Sequence, residues 1–120
     1  MRTSRFLLFI LLALFYANTV SAIIVGNQFT RDGITYEVTF MDKAHDGLPA
    51  RYEVKFVSSN LAGALNIPGT VADPNNQYTF KVTAIAANST VPNATSVTIP
   101  SNVTTINANS FKGSNITNRS

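Results

Sequence analysis

An apolar pattern that recurs after 21 residues constrains the fold of this chain more than any other feature. Val82 and Ile85 recur as Val103 and Ile106, each 21 positions further along. A short segment of alternating apolar residues precedes the second copy and stops at Pro100. A period of roughly 20 to 29 residues with apolar positions in fixed register is typical of solenoids. The pattern therefore predicts stacked coils rather than an ordinary globular core.

The amino-terminal segment has the organisation of a secretory signal peptide. Arg2 and Arg5 form a positively charged start, and an unbroken apolar run follows over residues 6–16. That run is shorter than the roughly 18 to 20 apolar residues that span a bilayer. Ala22 supplies the small residue that signal peptidase requires. Residues 1–22 are therefore predicted to be a cleaved signal peptide, with a secreted product and no transmembrane segment after cleavage.

Charge and cysteine content exclude several classes of protein. The precursor has a formal net charge of +3, and loss of Arg2 and Arg5 leaves seven basic against six acidic residues. This balance favours neither nucleic acid nor an anionic membrane as a partner. The chain has no cysteine, although small secreted domains commonly rely on disulfides. Strand pairing, apolar stacking or a partner must therefore stabilise it.

Residues 23–62 are predicted to form a β-hairpin leader. Apolar and polar residues alternate over Ile34–Phe40 and again over Arg51–Phe56, which is typical of half-buried strands. The first segment is expected to place all its apolar residues, Phe40 included, on one face. A polar loop over residues 41–50 separates the segments, so an antiparallel hairpin is expected.

The composition changes after Asp73, the last acidic residue. Asn, Thr and Ser supply 23 of the 47 residues that follow. Tracts of this composition are often disordered, but regularly spaced apolar residues from Val97 to Phe111 favour ordered structure. Residues 63–113 are therefore predicted to form a short solenoid, and residues 114–120 a frayed tail.

Several segments resemble the bacterial BspA-type leucine-rich repeat. In the C-terminal half they are Thr95-Ser-Val-Thr-Ile-Pro100, Val103-Thr-Thr-Ile106 and Ser110-Phe111; further upstream they are Asp32-Gly-Ile-Thr-Tyr36 and Gly63-Ala-Leu-Asn-Ile-Pro68. The resemblance implies a mainly β fold with little helix, in which a β-hairpin leader precedes a leucine-rich-repeat solenoid of about two coils. It also implies a bacterial cell-surface protein that contacts other proteins and adheres to host proteins.

The chain departs from the repeat pattern at several positions. Arg119 falls at the position that Val97 occupies one coil earlier, so no further strand is expected there. Self-association through an uncapped end near Asn115 is expected instead. Ala86 and Asn107 stand where the family has glycine. Alanine adopts a left-handed backbone poorly, so a difficulty is expected at Ala86.

No group of residues forms a recognised catalytic or metal-binding arrangement. Asp42, His45 and Asp46 cluster in the hairpin loop, but no second histidine or cysteine completes a tetrahedral site. A solvated loop is the favoured interpretation. Glu37 and Glu53 are outward residues that could oppose each other across the hairpin, and charge matching with basic neighbours is favoured over catalysis. Neither an enzyme nor a cofactor is predicted.

The sequence therefore predicts a secreted or surface-associated, non-enzymatic protein of the adhesion type. Its candidate binding residues are polar side chains of the predicted solenoid face, namely Thr95, Thr98 and Thr104. Its expected partner is a protein, such as a host matrix or cell-surface protein.

Two alternatives remain open. One is a small secreted β-sandwich binding module, in which residues 82–106 supply antiparallel strands. Strand direction distinguishes the two folds, because a solenoid pairs Leu65–Ile67 with Val97–Ile99 in parallel and a sandwich uses antiparallel neighbours. The other alternative is a truncated reading frame without a function of its own.

Overall fold

The fold is mainly β, as the sequence predicts. A computed structural model describes residues 22–111 and 118–119, and this part of the chain contains no helix. The predicted signal peptide up to residue 21, and residues 114–117 and 120 of the predicted tail, lie outside the described residues. The strands are β1 (Gln28–Arg31), β2 (Ile34–Asp42), β3 (Arg51–Ser59), β4 (Gly63–Asn66), β5 (Thr70–Ala72), β6 (Thr79–Thr90), β7 (Ala94–Thr98), β8 (Thr105–Ile106) and β9 (Asn118–Arg119).

Two sheets share one apolar core. The larger sheet has the order β1-β2-β3-β6-β5, with β8 also paired to β6, and the smaller sheet has the order β4-β7-β9. Alternate residues of both sheets point inward. The fully buried large side chains include Tyr36, Phe56, Phe80, Ile85 and Val97. Leader strands and repeat strands therefore bury their side chains in the same core.

The antiparallel β2–β3 hairpin is confirmed. Tyr36 lies opposite Phe56 and Val38 opposite Val54, and all four side chains are buried as predicted. The expectation that Phe40 shares this inner face is wrong. A register shift follows Val38, and because a bulge reverses the side to which the next residues point, the ring is turned outward and is 38% exposed.

Parallel pairing joins successive segments in both sheets. In the smaller sheet Leu65 lies opposite Val97, which is the direction expected of stacked coils. In the larger sheet Ile85 lies opposite Ile106, so the 21-residue register is confirmed. The antiparallel arrangement that a sandwich requires over residues 82–106 is not observed.

The expectation that no strand forms at Arg119 is wrong. Strand β9 pairs in parallel with β7, and Arg119 lies opposite Val97. The register is the predicted one, and a short strand forms because main-chain hydrogen bonding does not require an apolar side chain.

Two asparagines at equivalent positions of the repeat adopt a left-handed backbone. Asn88 has φ 59° and Asn109 has φ 60°, and these residues are also 21 positions apart. Asparagine tolerates this conformation better than most residues. The difficulty expected at Ala86 does not arise, because neither Ala86 nor Asn107 has positive φ.

Asparagine side chains also tie the turns to earlier parts of the chain. Each donates from its amide nitrogen to a main-chain carbonyl: Asn93 to Asn60 at 3.0 Å, Asn102 to Gly69 at 3.1 Å and Asn107 to Ile85 at 2.9 Å. The carbonyls of Gly69 and Ile85 also accept main-chain N–H bonds, from Val82 and Asn107 respectively, so these two side chains add a second hydrogen bond to each carbonyl. The high asparagine content is therefore in part structural.

A buried apolar side chain follows the left-handed turn of each coil. Phe111 is 3% exposed, and its ring meets the ring of Phe56 edge-on at a centroid distance of 6.0 Å. One coil earlier, Thr90 is exposed and the neighbouring Val91 is fully buried. Val91 therefore occupies an inward position in the coil that lacks a phenylalanine.

A buried carboxylate organises the turn between β5 and β6. Asp73 is 0% exposed, and its oxygens accept main-chain N–H bonds from Asn75, Gln77 and Tyr78 at 3.1, 2.8 and 2.7 Å. Arg31 Nη1 donates to the Asp73 carbonyl at 2.9 Å. This bond brings the β1–β2 turn against the β5–β6 turn.

Candidate binding surface

The three threonines predicted to bind a partner lie on two different sheets. Thr95 and Thr98 belong to β7 in the smaller sheet. Thr104 precedes β8, and its N–H donates to the Thr83 carbonyl of the larger sheet at 3.0 Å. All three residues are exposed. The structure brings Thr95 and Thr98 near each other on one strand and places Thr104 elsewhere.

An irregularity in β7 sets the direction of Thr95. Gly63 lies opposite Ala94, but the next residue of β4 lies opposite Ser96. Thr95 is therefore the extra residue of a bulge. As a result Ala94 and Val97, three positions apart, are both fully buried.

The outward face of the larger sheet carries a first row of paired polar side chains. Gln28 Nε2 donates to Glu37 Oε1 at 3.1 Å, and Lys55 Nζ lies 3.4 Å from Glu37 Oε2. Glu37 lies directly opposite Lys55, and Phe40 lies opposite Glu53. The idea that Glu37 and Glu53 oppose each other is therefore wrong, and the favoured charge matching is confirmed for Glu37 and Lys55.

A second row runs from β3 to β6 on the same face. Arg51 Nε donates to Glu53 Oε2 at 2.6 Å, and Thr83 Oγ1 donates to Glu53 Oε1 at 3.1 Å. The hydrogen bond from Arg51 is the main cause that lowers the pKa of Glu53, and the same bond raises the pKa of Arg51. The Arg51 guanidinium also stacks 3.5 Å above the centroid of the Phe40 ring.

These two rows define the outer polar face, comprising Gln28, Glu37, Lys55, Arg51, Glu53, Thr83 and the exposed ring of Phe40. Its carboxylates are matched by cations or by hydrogen-bond donors, so it offers no strong field of either sign. Thr104 borders this face through its bond to Thr83. Such a surface can recognise a partner through hydrogen bonds and one aromatic contact. The sequence predicted the charged residues of this face, but it did not predict that Phe40 lies on the same face.

A groove of about 420 Å³ lies between the β1–β2 turn and strands β4 and β5. Its lining combines apolar Leu61 and Leu65 with the charged Arg31 and Asp32. Burial, and then the negative charge of Asp32, raises the pKa of the lining residue Tyr36 to about 12. Sequence reasoning missed this groove, because it exists only where segments about 30 to 40 positions apart meet, as in the Arg31–Asp73 bond.

The hairpin loop does not form a metal site in the structure. His45 Nδ1 lies 3.4 Å from Asp46 Oδ2, and these side chains are 52% and 92% exposed. Among residues 22–111 and 118–119, no group of three His, Asp or Glu side chains is close enough to hold a metal ion. The same part of the chain contains no helix capable of crossing a membrane.

Comparison with known proteins gives one distant structural similarity. No protein-family model matches the chain, and no curated protein sequence matches it. The chain is similar to the crystal structure of the pneumococcal vaccine antigen PcpA, with 19% sequence identity and a TM-score of 0.44. The similarity covers 81% of this chain and 29% of that one, so this chain spans about three tenths of the length of PcpA.

Proposed function

We propose that this chain is a secreted or surface-associated, non-enzymatic protein-binding protein of the BspA-type leucine-rich-repeat kind, acting in adhesion. The single observation that carries this proposal is the in-register parallel pairing in both sheets. Leu65 pairs with Val97 in one sheet, and Ile85 pairs with Ile106 in the other. Stacked coils present an extended regular surface, and repeat proteins bind partners through such surfaces.

The outer polar face is the proposed contact surface. Its charged groups are already paired, as in Lys55–Glu37 and Arg51–Glu53, so a protein partner need not bring a large opposite charge. Phe40 supplies exposed apolar area, with Arg51 stacked on its ring. Aromatic and arginine side chains dominate many protein interfaces. This favours a folded protein partner, such as a host matrix or cell-surface protein, over nucleic acid.

Binding to an immobilised panel of extracellular-matrix proteins tests the proposal. Lys55→Glu places a second carboxylate against Glu37, whereas Lys43→Glu makes the same charge change in the exposed hairpin loop. We expect Lys55→Glu to weaken binding by about tenfold or more, since losing a central contact commonly has an effect of this size. Lys43→Glu should leave binding almost unchanged. Equal effects of the two variants, or no binding to any panel member, would refute this role.

Secretion is tested separately from binding. The segment before residue 23 has the organisation of a signal peptide, so the proposal expects a processed chain beginning at Ile23 in the culture medium. Amino-terminal sequencing of the exported protein checks this. A chain that stays in the cell with residues 1–22 attached would contradict the proposed location.

A fragment without function is the remaining alternative. The shared core of the two sheets supports a cooperative unit instead. Thermal unfolding distinguishes these, because a fragment that lacks specific packing melts broadly and a packed domain melts in a single cooperative step. A broad melt with no cooperative transition would favour the fragment.

A further inference from the structure

The groove between the β1–β2 turn and strands β4 and β5 contains a hydroxyl group without a partner. The Tyr36 side chain is 1% exposed, and its hydroxyl makes no hydrogen bond to any residue that the structure describes. Every fully buried polar side-chain atom in that part of the chain has a partner, so the hydroxyl oxygen must keep a small area open to solvent. Because Tyr36 lines the groove, we infer that this opening faces the groove.

Two opposite charges line the same groove without forming an ion pair. Arg31 Nη1 donates to the Asp73 carbonyl at 2.9 Å and to Asn76 Oδ1 at 3.1 Å, and these bonds hold the guanidinium in place. Its other nitrogens make no described hydrogen bond, and no described carboxylate forms an ion pair with it. Asp32 is exposed and has no described hydrogen-bond or ion-pair partner. Both charges are therefore available to a bound molecule.

The remaining walls of the groove are largely apolar and include Leu61, Leu65 and Val71. Leu61 is 43% exposed, so an apolar group bound beside it would remove its surface from water. The volume of about 420 Å³ falls within the roughly 300–1,000 Å³ of small-molecule sites, which combine apolar walls with a few polar groups. The groove therefore has the size and the lining of such a site.

We propose that this groove binds a small zwitterion with an apolar side chain, either a free amino acid such as leucine or an apolar dipeptide. The ligand carboxylate pairs with Arg31, the ligand ammonium group pairs with Asp32, and the apolar side chain packs against Leu61. The Tyr36 hydroxyl donates to a ligand oxygen, since its pKa of about 12 keeps it protonated at neutral pH. A ligand with only one sign of charge would be repelled by one of the two charged residues.

The inference goes beyond the proposed adhesion. The groove lining shares no residue with the outer polar face. Failure of the zwitterion site would therefore leave the adhesion proposal untouched, and failure of adhesion would leave this site untouched.

A titration of the isotope-labelled protein, followed through its amide chemical shifts, tests the ligand class. L-leucine and L-leucyl-L-leucine are the two zwitterions, and the tighter of them identifies the source. Isocaproate lacks the ammonium group and isoamylamine lacks the carboxylate, so each should bind about tenfold or more weakly than the tighter zwitterion. Saturable shifts at the groove residues are expected. No saturable shift with either zwitterion, or equal affinity for a singly charged analogue, would overturn the proposal.

Substitutions test the residues of the site. Asp32→Asn removes one charge at nearly constant size, and Asp46→Asn is the matched control, because both aspartates are exposed and have similar positive φ angles of 51° and 49°. We expect Asp32→Asn to weaken binding of the tighter zwitterion by about tenfold and Asp46→Asn to leave it unchanged. Equal effects of these two variants would contradict the site.

Tyr36→Phe removes the hydroxyl alone. The hydroxyl has no described hydrogen-bond partner within the chain, so the variant should fold normally and bind the tighter zwitterion about three- to tenfold more weakly, as expected for one lost hydrogen bond. The same titration measures this change. Undiminished affinity in a folded Tyr36→Phe protein would contradict the role of the hydroxyl and the placement of the ligand in the groove.

Discussion

Ile106 lies directly opposite Ile85 in parallel register, yet Ile85 is fully buried and Ile106 is 57% exposed. The side chains are identical and their main chains are neighbours, but only Ile85 belongs to the buried core. β6 has neighbouring strands on both sides, whereas β8 has a described neighbour on one side only. The recurring pattern therefore fixes the register, whereas the contribution of each position to stability depends on whether its side chain reaches the shared core, as that of Ile85 does.

Truncating the two isoleucines should have unequal effects. Ile85→Ala removes buried apolar volume and leaves a cavity, so the free energy of unfolding should fall by about 2–5 kcal/mol. Ile106→Ala should lower it by less than about 1 kcal/mol, since little apolar surface leaves water at that position. Urea unfolding of both variants measures the difference. Similar losses of stability in the two variants would contradict the unequal burial of the two side chains.

Both side-chain oxygens of Asp73 should be needed as hydrogen-bond acceptors. It accepts three main-chain N–H bonds, and in Asp73→Asn an amide group must face at least one of those donors. We expect Asp73→Asn to lower the free energy of unfolding by about 1–3 kcal/mol. Asp46→Asn is the matched control, because that side chain is 92% exposed, and it should change stability by less than about 0.5 kcal/mol. Equal changes in the free energy of unfolding of the two variants would contradict a stabilising role for the Asp73 side chain.

The bond from Asn107 to the Ile85 carbonyl should stabilise the stacking of the coil. Asn107→Asp keeps the size of the side chain but replaces the donor with a carboxylate facing a carbonyl oxygen. We expect a loss of about 0.5–1.5 kcal/mol in the free energy of unfolding, since the Ile85 carbonyl keeps its bond from the main-chain N–H of Asn107. Asn66→Asp, at an exposed position of β4, is the control and should have an effect within about 0.5 kcal/mol. Denaturant midpoints that coincide for the two variants would contradict a stacking role.

Tyr36 should make the protein less stable in strong alkali. Its folded pKa is raised from the ordinary 10.0 to about 12 by burial and then by Asp32. A raised folded pKa means that the protonated side chain is favoured in the folded state, so the contribution is complete below pH 10 and is lost as the pH rises towards 12. The loss is on the order of 2 kcal/mol. Urea denaturation of Tyr36→Phe across this pH range should not show the loss of stability. If the variant loses as much stability as the wild type does, the loss does not come from Tyr36.

Local alternation and spacing were enough to predict much of the fold. Period-2 alternation in Ile34–Phe40 and Arg51–Phe56 predicts the hairpin, because a strand with one buried face must alternate. The recurrence of Ile85 as Ile106 predicts the parallel pairing of β6 with β8. Both features follow from the spacing of apolar residues along the chain, because a strand with one buried face must alternate wherever it occurs.

The binding surface was less predictable, because it depends on irregularities and long-range contacts. The bulge after Val38 that turns Phe40 outward leaves no distinctive local pattern. The bulge at Thr95 and the separate sheet of Thr104 likewise depend on partner strands distant in the sequence. Strand β9 formed despite Arg119, since main-chain pairing tolerates a polar side chain that an apolar pattern would exclude.

Cross-strand nuclear Overhauser contacts in the isotope-labelled protein test the parallel stacking most directly. Parallel stacking predicts contacts between amide and α protons that link Ala84 and Ile85 to Thr105 and Ile106, and Leu65 and Asn66 to Val97 and Thr98. Antiparallel strands instead bring α protons of opposite residues close together at alternate pairs. Amide-to-α contacts in this register would support stacked coils. Close pairs of α protons between β6 and β8, or between β4 and β7, would contradict them and favour a sandwich.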